Sequence, residues 1–91
     1  MKLMFRVHAV QSMFERRVSR DDVWHVLIAG EVIERYSDDT PYPSRLVLGW
    51  VGGRALHVVA ADIPETDETV IITVYEPDPR QWEHGFRRRR R

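Results

Sequence analysis

The sequence predicts an α+β domain: two N-terminal helices packed on a four-stranded, mainly antiparallel sheet, with a short C-terminal helix. Three observations carry that expectation. Apolar side chains recur at helical spacing between His8 and Arg17. The stretch "SRDD", Ser19 to Asp22, reads as a helix start ahead of an apolar run. Two β-rich runs, "RLVLGWV" and "RALHVVAAD", are separated by nothing but Gly52 and Gly53.

Residues 2–7 open as a short extended piece. From His8 to Arg17, Val7, Val10, Met13 and Phe14 fall on one stripe, with Gln11, Ser12, Glu15 and Arg16 opposite, the pattern of a helix with one apolar face. Ser19 is placed to cap the free N–H groups of a second helix, and Asp21 and Asp22 suit the positive end of its dipole. That helix runs to about Ala29 and stops at Gly30. Val23, Trp24, Val26, Leu27 and Ile28 make it apolar around most of its circumference, so it is either deeply buried or partly covered by another chain.

"EVIERY", residues 31–36, reads as a short strand, and "SDDTPYPS" as a loop punctuated by Pro41 and Pro43. The two glycines then set a tight hairpin in which Val51 pairs with Arg54 and Leu48 with His57. Leu46, Leu48, Trp50, Ala55, His57 and Val59 therefore share one face of the sheet, while both faces remain largely apolar. "TVIITVYE" supplies a last strand rich in β-branched residues, Pro77 and Pro79 end it, and "RQWEHGF" is expected to form one final helical turn.

Ninety-one residues fit one domain, expected over residues 1–86. With 43% hydrophobic and 31% charged residues the chain reads as globular rather than disordered. No stretch has the apolar block of a signal peptide or the length of a membrane span, and there is no cysteine, so a cytoplasmic, bacterial-type protein is expected. The formal net charge of zero hides an asymmetry. "RRRRR", residues 87–91, holds five of the 14 basic residues, leaving 9 basic against 14 acidic elsewhere, a net of −5. Such a run is expected to be a flexible, solvated tail. Its functional reading is an arm for a phosphate backbone, although an acidic body argues against nonspecific nucleic-acid binding by the whole surface.

Four histidines, His8, His25, His57 and His84, lack the His-x3-His spacing of a helical zinc site, and no cysteine assists them. No phosphate loop, nucleophile elbow or carboxylate pair is visible, so neither metal nor cofactor is expected. His57, in the middle of an apolar strand, has two readings: a core histidine with satisfied ring nitrogens, or the working group of a site. Tyr75 near a strand end, and Arg16 after the stripe, share that ambiguity. His8 sits at a helix start, where the positive dipole disfavours its charged form, with Ser12 and Arg16 one and two turns on.

Taken together, "HA" (His8, Ala9), "ERRVSRDDV", "GEVIERY", "PSRLVLG", "LHVV" (Leu56–Val59) and "ITVYEPDP" (Ile72–Pro79) resemble the family called domain of unknown function 4258, over about residues 5–83. Arg17-Val18 departs from it, since the family usually has a Gly-Ile step there, and the arginine tail lies outside its pattern. The resemblance implies a distant relation to RelE/ParE-type toxins of type II toxin–antitoxin systems, paired with small antitoxins bearing zinc-finger or helix-turn-helix domains. It also implies metal-independent mRNA cleavage, in which the 2′-hydroxyl attacks its own phosphate. Carried onto this chain, His8 and His57 would transfer protons, Arg16, with Arg45 or Arg54, would hold the phosphate, and Tyr75 would orient the nucleotide or act as an acid. Set against this endoribonuclease reading are a non-enzymatic protein-binding module that docks a partner chain through the apolar second helix or an exposed sheet edge, with His8 and His57 structural, and a body that only folds while the arginine tail binds nucleic acid.

Overall fold

The computed structural model describes residues 1–91. Seven elements follow in order: β1 (Lys2–Phe5), α1 (Val7–Arg16), α2 (Arg20–Ala29), β2 (Glu31–Tyr36), β3 (Ser44–Val51), β4 (Arg54–Ile63) and β5 (Glu68–Tyr75). The sheet has five strands in the order β1-β5-β4-β3-β2. This corrects the expectation of four strands and a C-terminal helix. Residues 2–7 do more than begin extended, because Lys2 to Phe5 pair in parallel with Glu68 to Ile71, making the sheet mixed. The remaining pairings are antiparallel.

Residues 76–91 form turns, not a helix. Gln81 and Trp82 donate backbone N–H bonds to the Asp78 carbonyl, one helical turn's worth of bonding. The turn then stops, since Gly85 and Phe86 take positive φ of 88° and 62°. The chain instead doubles back, with Glu83 N–H bonded to the Arg88 carbonyl and Trp82 bridged to Arg89.

Both helices lie on one face of the sheet, α1 over β5 and α2 over β3. Their core joins Ala9, Met13, Val18, Val23 and Val26 to Val47, Leu56, Val58, Ala60, Ile71 and Val74. Ser19 accepts the Asp22 N–H at 3.0 Å while the Asp22 carboxylate accepts the Ser19 N–H at 2.9 Å, a reciprocal capping box. At its other end α2 lies directly on β3. A Cβ on Gly30 would overlap the Val26 and Leu48 carbonyl oxygens, so only glycine admits this approach.

Of the stripe expected on α1, only Met13 is buried. Ala9 and Met13 face the sheet, whereas Val7, Val10 and Phe14 point outward. The apolar arc of this helix is wider than the face a single sheet covers. No helix is long and apolar enough to cross a membrane.

Candidate functional site

The second face of the sheet carries the chemistry. The hairpin register is the one the two glycines dictate: Val51 pairs with Arg54, and Leu48 with His57. On the other side of β4, His57 pairs directly with Tyr75, so the two rings share the face away from the helices. A bulge at Ile72, where the register slips between Val59 and Ala60, lets Ile71 and Val74 both reach the helix core while Tyr75 stays beside His57.

His57 is wholly buried, at 0% exposure. Its Nε2 lies 2.9 Å from the Phe86 carbonyl oxygen, which can only accept, so Nε2 carries the proton. Nδ1 is then the bare nitrogen and accepts the Tyr75 hydroxyl proton at 3.1 Å. Trp82 stands edge-on to the imidazole, with centroids 4.5 Å apart at 87°, and Tyr75 at 5.2 Å and 69°. Burial lowers the His57 pKa below its ordinary value, outweighing the Phe86 hydrogen bond. Burial likewise raises that of Tyr75, so both groups are held neutral.

Beside this pair lies a charged cluster. Tyr36 donates to Glu34 at 2.5 Å, and the Arg89 fork reaches the same carboxylate at 3.0 and 3.2 Å. The Arg89 guanidinium also lies over the Trp82 ring, 4.6 Å from its centroid. Burial works to raise the Glu34 pKa, but the hydrogen bonds from Arg89 and Tyr36 outweigh it and the net shift is downward. Burial, reinforced by Glu34, pushes Tyr36 up to about 12.

A second bulge makes the cluster possible. Glu31 pairs with Leu48 and Glu34 with Leu46, the slip falling between Val32 and Glu34. Three residues apart in an unbroken strand, the two carboxylates would point to opposite faces. The extra residue turns both toward residues 87–91, where Arg87 meets Glu31 at 2.6 Å and Arg89 meets Glu34. Arg90 adds a bond from Nε to the Pro79 carbonyl at 2.7 Å. The arginine run is thus placed along the sheet, over His57 and Trp82.

The residues implied for catalysis are divided between the two faces. His57 and Tyr75 share one. His8 is exposed on α1, on the helix side. Arg16 ends that helix with its side chain exposed, and its carbonyl accepts from Arg54 at 2.7 Å. Arg54 further donates to the Arg17 carbonyl and pairs with Glu76 at 3.3 Å, so it ties down the end of α1. Arg45 pairs with Asp62 at 2.6 Å. The sheet separates these four from the His57–Tyr75 pair. Conversely, Glu34, Tyr36, Trp82, Phe86 and Arg89 belong to the site and were not read from the sequence. The alternation of Glu34 and Tyr36 in "EVIERY" was the available signal for two of them.

The fold and this face together define a small α+β sheet domain, with a buried His57 bonded to Tyr75 on one side and an uncovered apolar stripe of α1 on the other. By a family match over residues 5–76, the chain belongs to the family described as domain of unknown function (DUF4258). No curated protein and no solved structure matches it.

Proposed function

We propose that the chain is a non-enzymatic protein-binding module that docks a partner chain on α1. The observation that carries this reading is the outward stripe of Val7, Val10 and Phe14, which are 73%, 51% and 86% exposed. Their i, i+3, i+7 spacing aligns them on one line of the helix, the anchor pattern of helix-to-helix docking. Isolated exposed apolar residues are ordinary; three in register, with a fully presented phenylalanine, mark an interaction surface. Arg6, Arg16 and Arg17 flank the stripe and form no ion pair, and Glu15 is the one acid of α1. An apolar stripe with a basic rim fits an amphipathic segment with acidic flanks. In the toxin–antitoxin setting implied by the family resemblance, that segment belongs to an antitoxin. The sealed imidazole supports the same reading, since both of its nitrogens are bonded and no substrate can touch it.

The test is purification of the tagged chain from its native host, as wild type and as Phe14→Glu. A stoichiometric partner whose protease-protected segment is acidic and amphipathic, present with wild type and lost with Phe14→Glu at unchanged melting temperature, is expected. A partner-free wild type, or a homodimer broken by Phe14→Glu, would sink the proposal.

One observation favours a second reading, metal-independent endoribonuclease action by 2′-hydroxyl attack. The Phe86 carbonyl orients His57, and His57 accepts the hydroxyl proton of Tyr75, the half-buried and so more exposed member of the pair. Here Tyr75 is the group that meets the phosphate and His57 positions it. Growth arrest on induction of wild type, abolished by Tyr75→Phe, is the expected signature; arrest by both proteins removes Tyr75 from the mechanism.

A further inference from the structure

We propose that the cavity beside Trp50 is a site for one base of a single-stranded nucleic acid, with the neighbouring phosphates held by Arg88 and Arg91. The site is separate from the α1 surface and rests on other observations.

A cavity of about 350 Å³ opens where α2 ends against β3, lined by His25, Gly30, Glu31, Gly49, Trp50 and Arg87 among others. It exists because β2 begins pairing only at Leu48, so no strand covers Gly49 to Val51 on that side. Its volume lies in the range of small-molecule sites and suits one planar ring system. Trp50 lines the cavity. It is 49% exposed, and the Phe86 ring backs it at 6.0 Å. The polar groups around the rim are mixed in kind. Arg87 offers donors, Glu31 offers acceptors, and the two meet at 2.6 Å, so the carboxylate is already neutralised. A nucleobase carries donors and acceptors along its edges and a face that stacks on tryptophan.

The arginine run supplies the second observation. Docking of Arg87 on Glu31 and of Arg89 on Glu34 fixes the run beside the cavity. Arg88 and Arg91 make no side-chain hydrogen bond or ion pair and are exposed. A stacking platform whose cavity is lined by a segment that also carries free cations is an arrangement by which proteins hold single strands, each base stacking while its phosphates meet arginine. A duplex cannot use it, because its bases are already stacked on one another. Of the acidic residues nearby, Glu31, Glu34 and Asp78 are each paired with an arginine, while the exposed Glu83 beside Arg88 is in no ion pair.

Fluorescence anisotropy with labelled 12-nucleotide single-stranded RNA and DNA, and with a duplex of the same sequence, tests this across a salt series. Single strands are expected to bind at least tenfold more tightly than the duplex. Trp50→Ala should weaken single-strand binding about tenfold with the salt slope unchanged, and Trp50→Phe should restore it to within about threefold. The double variant Arg88→Ala, Arg91→Ala should flatten the slope of log K against log salt by about 1.4, at roughly 0.7 per phosphate contact. Equal binding by Trp50→Ala and wild type, equal binding of duplex and single strand, or no binding of any strand at low salt overturns the proposal. Matching thermal melts for all variants secure the comparison.

Discussion

Arg17 holds a backbone conformation that favours glycine. It follows α1 with φ 54° and ψ 49°, and Val18 N–H closes back on the Met13 carbonyl at 2.9 Å, so this is the left-handed stop of a helix. A side chain there is strained by roughly 1–2 kcal/mol. Glycine sheds that strain but gains chain entropy when unfolded. Arg17→Gly is therefore expected to stabilise the domain by about 0.5–1 kcal/mol, a rise of about 4–8 °C in Tm per kcal/mol, read by calorimetry. The Arg54 bond to this residue goes to its carbonyl and survives the change.

His57 sets a pH dependence of defined sign. Its folded pKa lies below the ordinary 6.5, so between the two values the unfolded chain binds more protons than the folded one. Stability from this residue is complete above about pH 6.5 and declines as the pH falls below it toward the folded pKa. Tm is expected to drop as the pH falls from about 7.5 to below about 6.5, with the folded His57 ring still neutral at a pH where a free imidazole already charges. A Tm that is flat or rises on acidification across that window would refute the assignment. The readings left open for this residue are separated by two distances, to Tyr75 and Phe86, and the second cannot be seen in a sequence because Phe86 lies 29 residues further along the chain.

Among the elements, the hairpin was legible and the edges were not. Gly52 and Gly53 take φ of 57° and 78°, as a two-residue turn requires, and they fix the register of every pair from Val51–Arg54 outward. β1 escaped because four residues are too few for a period, and its partner is far along the chain. The bulges in β2 and β5 escaped because one extra residue leaves no mark in composition, though it decides which way Glu34 and Tyr75 point. α1 was recognised as a helix but not its rotation: Ala9 and Met13 are small or flexible enough to sit close to β5, whereas the stripe through Phe14 is not what the sheet receives. Close approach also governs α2. Gly30→Ala, which drives a Cβ into two carbonyl oxygens, is expected to destabilise by about 2–3 kcal/mol or more in urea titrations, because backbone cannot step aside as a side chain can.

At the scale of the whole molecule, the chain builds two unlike coverings for one sheet. Helices supply the first; residues 76–91 supply the second with Trp82, which is 2% exposed, and with arginines set on acids. Composition read those arginines as a solvated tail, since charge runs carry no record of which carboxylates the fold will present to them. Removing residues 87–91 is expected to destabilise the domain by about 1–2 kcal/mol at low salt, from two surface ion pairs and the Arg89–Trp82 contact. Most of the ion-pair share should vanish toward 1 M salt, where charges are screened within about 3 Å. Denaturant midpoints for the two chains, compared at both salt levels, measure it.

The strand order has a consequence in time. β1 is the first strand to emerge in synthesis, and it lies against β5, its pairing joining Lys2 to Glu68. Until β5 exists, β1 has no neighbour, and the antiparallel β2–β3–β4 unit stands with β4 open as well as its outer strand β2. Loop closure over such a separation must precede the contacts that reward it. Folding of this domain is thus a late event in its own manufacture. Whatever the nascent chain meets before Tyr75 is made, it meets as an unfinished sheet.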